Sequence, residues 1–97
     1  MLTSHRLLQQ YWHDARYDTG QVRVWYTDRG APEDRSMAGG SDIRPGPYYL
    51  DIRTPDGEKL VPYHRILIIT YDGVVVFENR KIAGLAEIIA KNSGESA

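Results

Sequence analysis

Ninety-seven residues suffice for one small core and leave no room for a second domain. The chain is 41% hydrophobic and 26% charged with a net charge of −1, values ordinary for a globular domain that exclude the broad basic surface needed for non-specific duplex binding. It has no cysteine, which removes disulfides and thiolate metal sites, no apolar run long enough to span a bilayer, and no basic-then-apolar leader, so a cytoplasmic location is expected.

Leu7, Leu8, Tyr11 and Trp12 recur at helical spacing behind a Thr3 or Ser4 cap, which predicts a helix over 4–13. "VRVWYTD" alternates and predicts a strand over 21–28, with Val22, Val24 and Tyr26 on one face and Arg23, Trp25 and Thr27 on the other. "RGAPEDRS" is a loop, "RSMA" a short strand, "SDI" a single helical turn and "PGP" a further turn. "YYLDI" predicts a strand over 48–52, closed by the "TPDG" turn. Another strand begins near residue 59 and bends at Pro62, which cannot donate to a ladder.

The run that follows is apolar on both faces. Ile66 and Ile68 are expected to point one way, Leu67 and Ile69 the other, in a strand covered on both sides. "YDGV" turns it back into a strand over 74–79, because Asp-Gly suits the positive φ angles of a tight hairpin. This hairpin, over 64–79, is placed at the centre of the sheet. Ile82, Leu85, Ala86 and Ile89 predict an amphipathic helix over about 82–92, with a frayed tail over 93–97. The order of elements predicts the α+β class. It is a single domain over 1–97, a mostly antiparallel curved sheet of about four to five strands with an N-terminal and a C-terminal helix.

Polar residues stand out at three places. In "VPYHRI" (61–66), His64 and Arg65 precede the most apolar run of the chain. On a regular strand they point to opposite faces and reach one pocket only if the backbone bends at Pro62. Histidine can hydrogen-bond a phosphate or move a proton near neutral pH, and arginine can clamp two oxygens. The bland reading has His64 on a backbone group and Arg65 paired with Asp28 or Asp42, and from chemistry alone it is the stronger one. In "DRG" (28–30), Arg29 is followed by a glycine that permits close approach at a strand end. "GGSD" (39–42) offers backbone N–H groups and the Ser41 hydroxyl to an anion, although a turn capped by Ser41 or Asp42 is the simpler reading. Tyr49, Tyr63 and Tyr71 are of the type that stacks bases on a sheet, but strand propensity accounts for most of the tyrosines. The histidines His5, His13 and His64 fall at no metal-ligand spacing, so neither metal nor cofactor is expected.

In combination, Trp12, "VWYTDRGAPED" (24–34), "GGSDI" (39–43) and "VPYHRILIITYDG" (61–73) resemble the RNA cyclic-group end recognition domain, a small domain found alone or fused to RNA repair and processing proteins. The resemblance covers about residues 5–80. It implies recognition of RNA ends carrying a phosphate or 2′,3′-cyclic phosphate, and carries over onto Asp28, Arg29, Gly30, Ser41, Asp42, His64 and Arg65. The chain departs from the family in having His13 and Asp14 where an acidic residue and proline often follow the tryptophan. It also adds the 82–92 helix, a candidate homodimer contact.

Three readings follow. In a binding module, Arg29 and Arg65 hold the phosphate, His64 donates to it, and Tyr63 or Tyr26 packs on the base or ribose, near Gly30 and Ser41. His64 with Arg29 is the favoured pair at the ligand. In an enzyme, a phosphodiesterase-like reaction uses His64 as acid or base. In a structural or adaptor protein, His64, Arg65, Asp28 and Asp42 form a buried network. Binding is preferred, with RNA ends and RNA repair or processing proteins as partners and no membrane.

Overall fold

The computed structural model describes residues 3–79; the helix expected over 82–92 and the tail lie outside the described residues. Helix α1 (Ser4–His13) begins where the Thr3 hydroxyl accepts the Arg6 N–H, and its apolar stripe buries Leu7, Leu8 and Tyr11. The strands that follow are β1 (Val22–Thr27), β2 (Arg35–Gly39), β3 (Ile43–Pro45), β4 (Tyr49–Thr54), β5 (Gly57–Pro62), β6 (Ile66–Tyr71) and β7 (Val74–Glu78). They form two antiparallel sheets, one in the order β2-β1-β6-β7 and one in the order β3-β4-β5. Leu8 of the helix, Val24 and Ile69 of the first sheet, and Leu50, Ile52 and Val61 of the second meet in one core.

This corrects the expected single curved sheet of four to five strands. The difference arises at Pro62. The chain does not merely bend there: β5 ends at Pro62, a 3₁₀ turn covers Tyr63–Arg65, and β6 starts at Ile66 in the other sheet. His64 and Arg65 therefore lie on the connection between two sheets, not at the head of a strand. The central pair of the larger sheet is β1 with β6, so only half of the expected hairpin is central. Strand β3 takes in Ile43 and Pro45, where the sequence predicts the end of the "SDI" helical turn and the start of the "PGP" turn. It pairs with β4 as an edge strand, where a missing N–H costs least.

A bulge also resets the faces of β6. Tyr26 pairs with Ile66 and Trp25 with Ile68, so Leu67 is the extra residue. Ile66 and Ile69 share the core while Leu67 and Ile68, equally buried, do not. The expected alternation of Ile66 and Ile68 against Leu67 and Ile69 fails for this reason. The β6–β7 turn is as anticipated, with Asp72 at φ 52° and Gly73 at φ 80°. Tyr71 is not free for a ligand: its ring stacks on Tyr11 at 4.9 Å, and its hydroxyl accepts the Asp18 N–H at 2.9 Å.

The double glycine at the start of the 3₁₀ turn Gly40–Asp42 has a packing cause. A Cβ on Gly40 would sit 1.7 Å from the Thr19 carbonyl oxygen, whereas one on Gly39 would meet nothing within 4 Å. Gly40→Ala is expected to cost about 2–4 kcal/mol, and Gly39→Ala less than about 0.5 kcal/mol. Thermal unfolding of the two variants checks this; equal melting temperatures would contradict it.

Candidate functional site

The two sheets do not close on each other along their whole length. Between the edge strand β2 and the β4–β5 hairpin lies an open cleft of about 640 Å³, within the usual range for small-molecule sites. Tyr26, Ser36, Ala38 and Gly39 line one wall, Ile52, Thr54 and Lys59 the other, and Asp28 and Asp42 also contribute. Strand alternation explains the walls. Tyr26 follows Val22 and Val24 on the inward face of β1, Thr54 follows Leu50 and Ile52 on that of β4, and Lys59 precedes Val61 on that of β5.

Asp28 spans the cleft. Its Oδ1 accepts from Lys59 Nζ at 2.7 Å and its Oδ2 from Ser36 Oγ at 2.6 Å. These hydrogen bonds, with the lysine's charge, hold the Asp28 carboxyl below its ordinary value, and Asp28 raises Lys59 in turn. Lys59 Nζ lies 6.0 Å from the centroid of the buried Tyr26 ring, and burial pushes the Tyr26 hydroxyl up.

The loop after Asp28 is braced from within. The Asp28 N–H donates to the Asp34 carbonyl at 2.8 Å and the Gly30 N–H to Asp34 Oδ1 at 3.2 Å. Gly30 adopts φ 94°, and Glu33 and Asp34 also have positive φ, at 59° and 57°, a region that costs non-glycine residues energy. Arg29 is exposed on this loop.

His64 and Arg65 are exposed as well. No side-chain hydrogen bond or ion pair among the described residues engages Arg29, His64 or Arg65. The buried network of His64, Arg65, Asp28 and Asp42 is thereby corrected. Asp28 is held by Lys59 and Ser36, and the two basic residues face solvent because the 3₁₀ turn carries them out of the ladder. The register nevertheless sets the two motifs at one end of the four-stranded sheet. Tyr26 pairs with Ile66, so the chain leaving β1 toward Asp28 and Arg29 runs beside the chain entering β6 from His64 and Arg65.

Other expected residues lie elsewhere. Tyr63 is half-buried; its hydroxyl donates to the Gly46 carbonyl and its ring lies 4.5 Å from that of His5, joining helix and turn. Ser41 and Asp42 are exposed and border a smaller recess of about 60 Å³ with Arg44 and Arg53. Tyr49 is exposed on β4. Of the expected residues, Tyr26, Asp28 and Asp42 line the main cleft; Arg29, Gly30, Ser41, Tyr63, His64 and Arg65 do not. Among the described residues no cluster of metal-ligating side chains occurs. Sequence reasoning missed Ser36 and Lys59. A lysine in β5 beside the apolar Leu60 reads as outward-facing, yet Leu60 is the residue left exposed.

Residues 1–79 match the family model described as the MJ1316 RNA cyclic group end recognition domain, and the chain belongs to that family. Searches of curated proteins and of solved structures returned no significant match.

The Asp28–Lys59 bridge makes a pH prediction. The lowered Asp28 and raised Lys59 values mean that its contribution is complete between their ordinary values of 3.8 and 10.5. It is lost as pH falls through the lowered Asp28 value or rises through that of Lys59. Asp28→Asn is expected to melt below the wild type at pH 7, with the gap closing as the pH falls below 3.8. A gap that is constant from pH 7 down to pH 2 in paired melting curves would contradict this.

Proposed function

We propose, with membership of the RNA cyclic group end recognition family as the premise, that this domain binds RNA ends bearing a terminal or 2′,3′-cyclic phosphate. The observation that carries the reading is the convergence at one sheet end of two loops whose basic side chains, Arg29, His64 and Arg65, are exposed and unengaged by the described residues. The family's description, recognition of RNA cyclic groups, supports RNA ends as the ligand class. A guanidinium offers parallel donors to two phosphoryl oxygens, and imidazole adds a third donor. A net charge of −1 suits capture of one end better than coverage of a long strand. RNA processing or repair is the setting we assign to such binding.

An oligoribonucleotide with a 2′,3′-cyclic phosphate is expected to bind at least about tenfold more tightly than the same oligonucleotide with hydroxyl ends, the scale of one charge-assisted hydrogen bond. Arg29→Ala and His64→Ala should each remove most of that preference while leaving the melting temperature within a few degrees, since both residues are exposed. Equal affinity for the two ends would overturn the reading. Opening of the cyclic phosphate by the wild type, lost in His64→Ala, would replace binding with catalysis.

A further inference from the structure

The cleft between β2 and the β4–β5 hairpin carries charges opposite to those of the proposed phosphate site. Four carboxylates line it, from Asp28, Asp42, Asp56 and Glu58, against two cations, Arg53 and Lys59. Lys59 is already committed to Asp28 at 2.7 Å, so the remaining lining charge is negative. A phosphate placed there would meet like charge with one unpaired cation to offset it. A neutral group rich in N–H and O–H donors would instead find acceptors on its walls, with the exposed apolar surface of Met37 and Pro55 for a ring to lie against.

The cleft is also joined to the basic rim. Asp28, which lines it, immediately precedes Arg29, which does not. A single ligand that is neutral and donor-rich at one end and doubly oxygenated and anionic at the other would satisfy both. A terminal nucleoside carrying a phosphate has that division of charge. Its base amino or imino groups would donate to the carboxylates, and about 640 Å³ accommodates base and ribose.

We propose that the cleft lined by Tyr26, Ser36, Asp42, Thr54 and Lys59 is the pocket for the terminal nucleoside, base and ribose, of the RNA end. The location of the phosphate at Arg29, His64 and Arg65 rests on the function proposed above; the nucleoside pocket itself rests on the cleft. Thr54 supplies the means to test it. It is half-buried on the inward face at the tip of the hairpin, and its Oγ1 donates to the Gly57 carbonyl on the exposed side. Tryptophan at this position keeps strand propensity while projecting a large ring into the cleft.

The test uses the full chain and three probes followed by backbone amide NMR: uridine 2′,3′-cyclic phosphate, uridine, and inorganic phosphate. The cyclic nucleotide and, more weakly, uridine are expected to shift the amides of Ser36, Ala38, Thr54 and Lys59. Inorganic phosphate is expected to shift those of Arg29, His64 and Arg65 and to leave the cleft unmoved. Thr54→Trp, with its other amide resonances in place, should weaken binding of the cyclic-ended oligoribonucleotide by at least about tenfold. Cleft amides unmoved by both nucleoside probes would overturn the proposal, whatever the end preference of the wild type. Cleft amides that move while the wild type shows no preference for cyclic ends would sustain the nucleoside pocket and overturn the phosphate reading alone.

Discussion

The clasp between Asp28 and Lys59 is the interaction on which the arrangement of this domain turns. It joins the end of β1 in one sheet to β5 in the other across an otherwise open edge, through a 2.7 Å charge-assisted bond with Ser36 as second donor. A part-exposed ion pair contributes about 1 kcal/mol or less to global stability, so its importance is positional. It fixes the width of the cleft where the two sheets diverge, and it fixes the start of the loop that presents Arg29. The hydrophobic core holds the sheets together; the clasp sets how they end.

The same constraint separates the charges. With Lys59 occupied by Asp28, the cleft keeps more carboxylates than cations, Arg53 being its other cation, while Arg29, His64 and Arg65 lie outside it, on the β1–β2 loop and the 3₁₀ turn between sheets. A ligand pocket of one sign beside a rim of the other orients a dipolar ligand before any close contact forms. Two internally braced connections carry the rim. One is tied by Asp34. The other is the short turn whose Tyr63 is tied to Gly46 and to helix α1 through Ser4.

Local signals were legible in the sequence wherever one residue type dictates the backbone. The helix over 4–13 followed from spacing and cap, and the β6–β7 turn followed from Asp72 and Gly73. The division into two sheets was not legible, because a proline inside an apolar stretch reads equally as a bent strand and as a break. Only the partners of β5 and β6, distant in sequence, decide it. The bulge at Leu67 escaped for a related reason: when four successive residues are all apolar, alternation carries no phase. The motifs "DRG" and "VPYHRI" fall at one end of the four-stranded sheet, but the cleft beside them depends on Ser36 and Lys59, whose meeting with Asp28 spans 8 and 31 residues of sequence. Asp28 was expected to pair with an arginine. A lysine on another strand holds it instead, and that leaves Arg29 and Arg65 unengaged among the described residues.

Where the two halves of one ligand sit decides between a nucleoside in the cleft and a nucleoside elsewhere. The most direct measurement is a structure of the full chain with a short oligoribonucleotide ending in a 2′,3′-cyclic phosphate. Phosphoryl oxygens are expected within hydrogen-bond distance, about 3 Å, of Arg29 and of His64 or Arg65, with the terminal nucleoside seated between β2 and the β4–β5 hairpin. A terminal nucleotide bound on another face, with the cleft and all three basic side chains untouched, would contradict it.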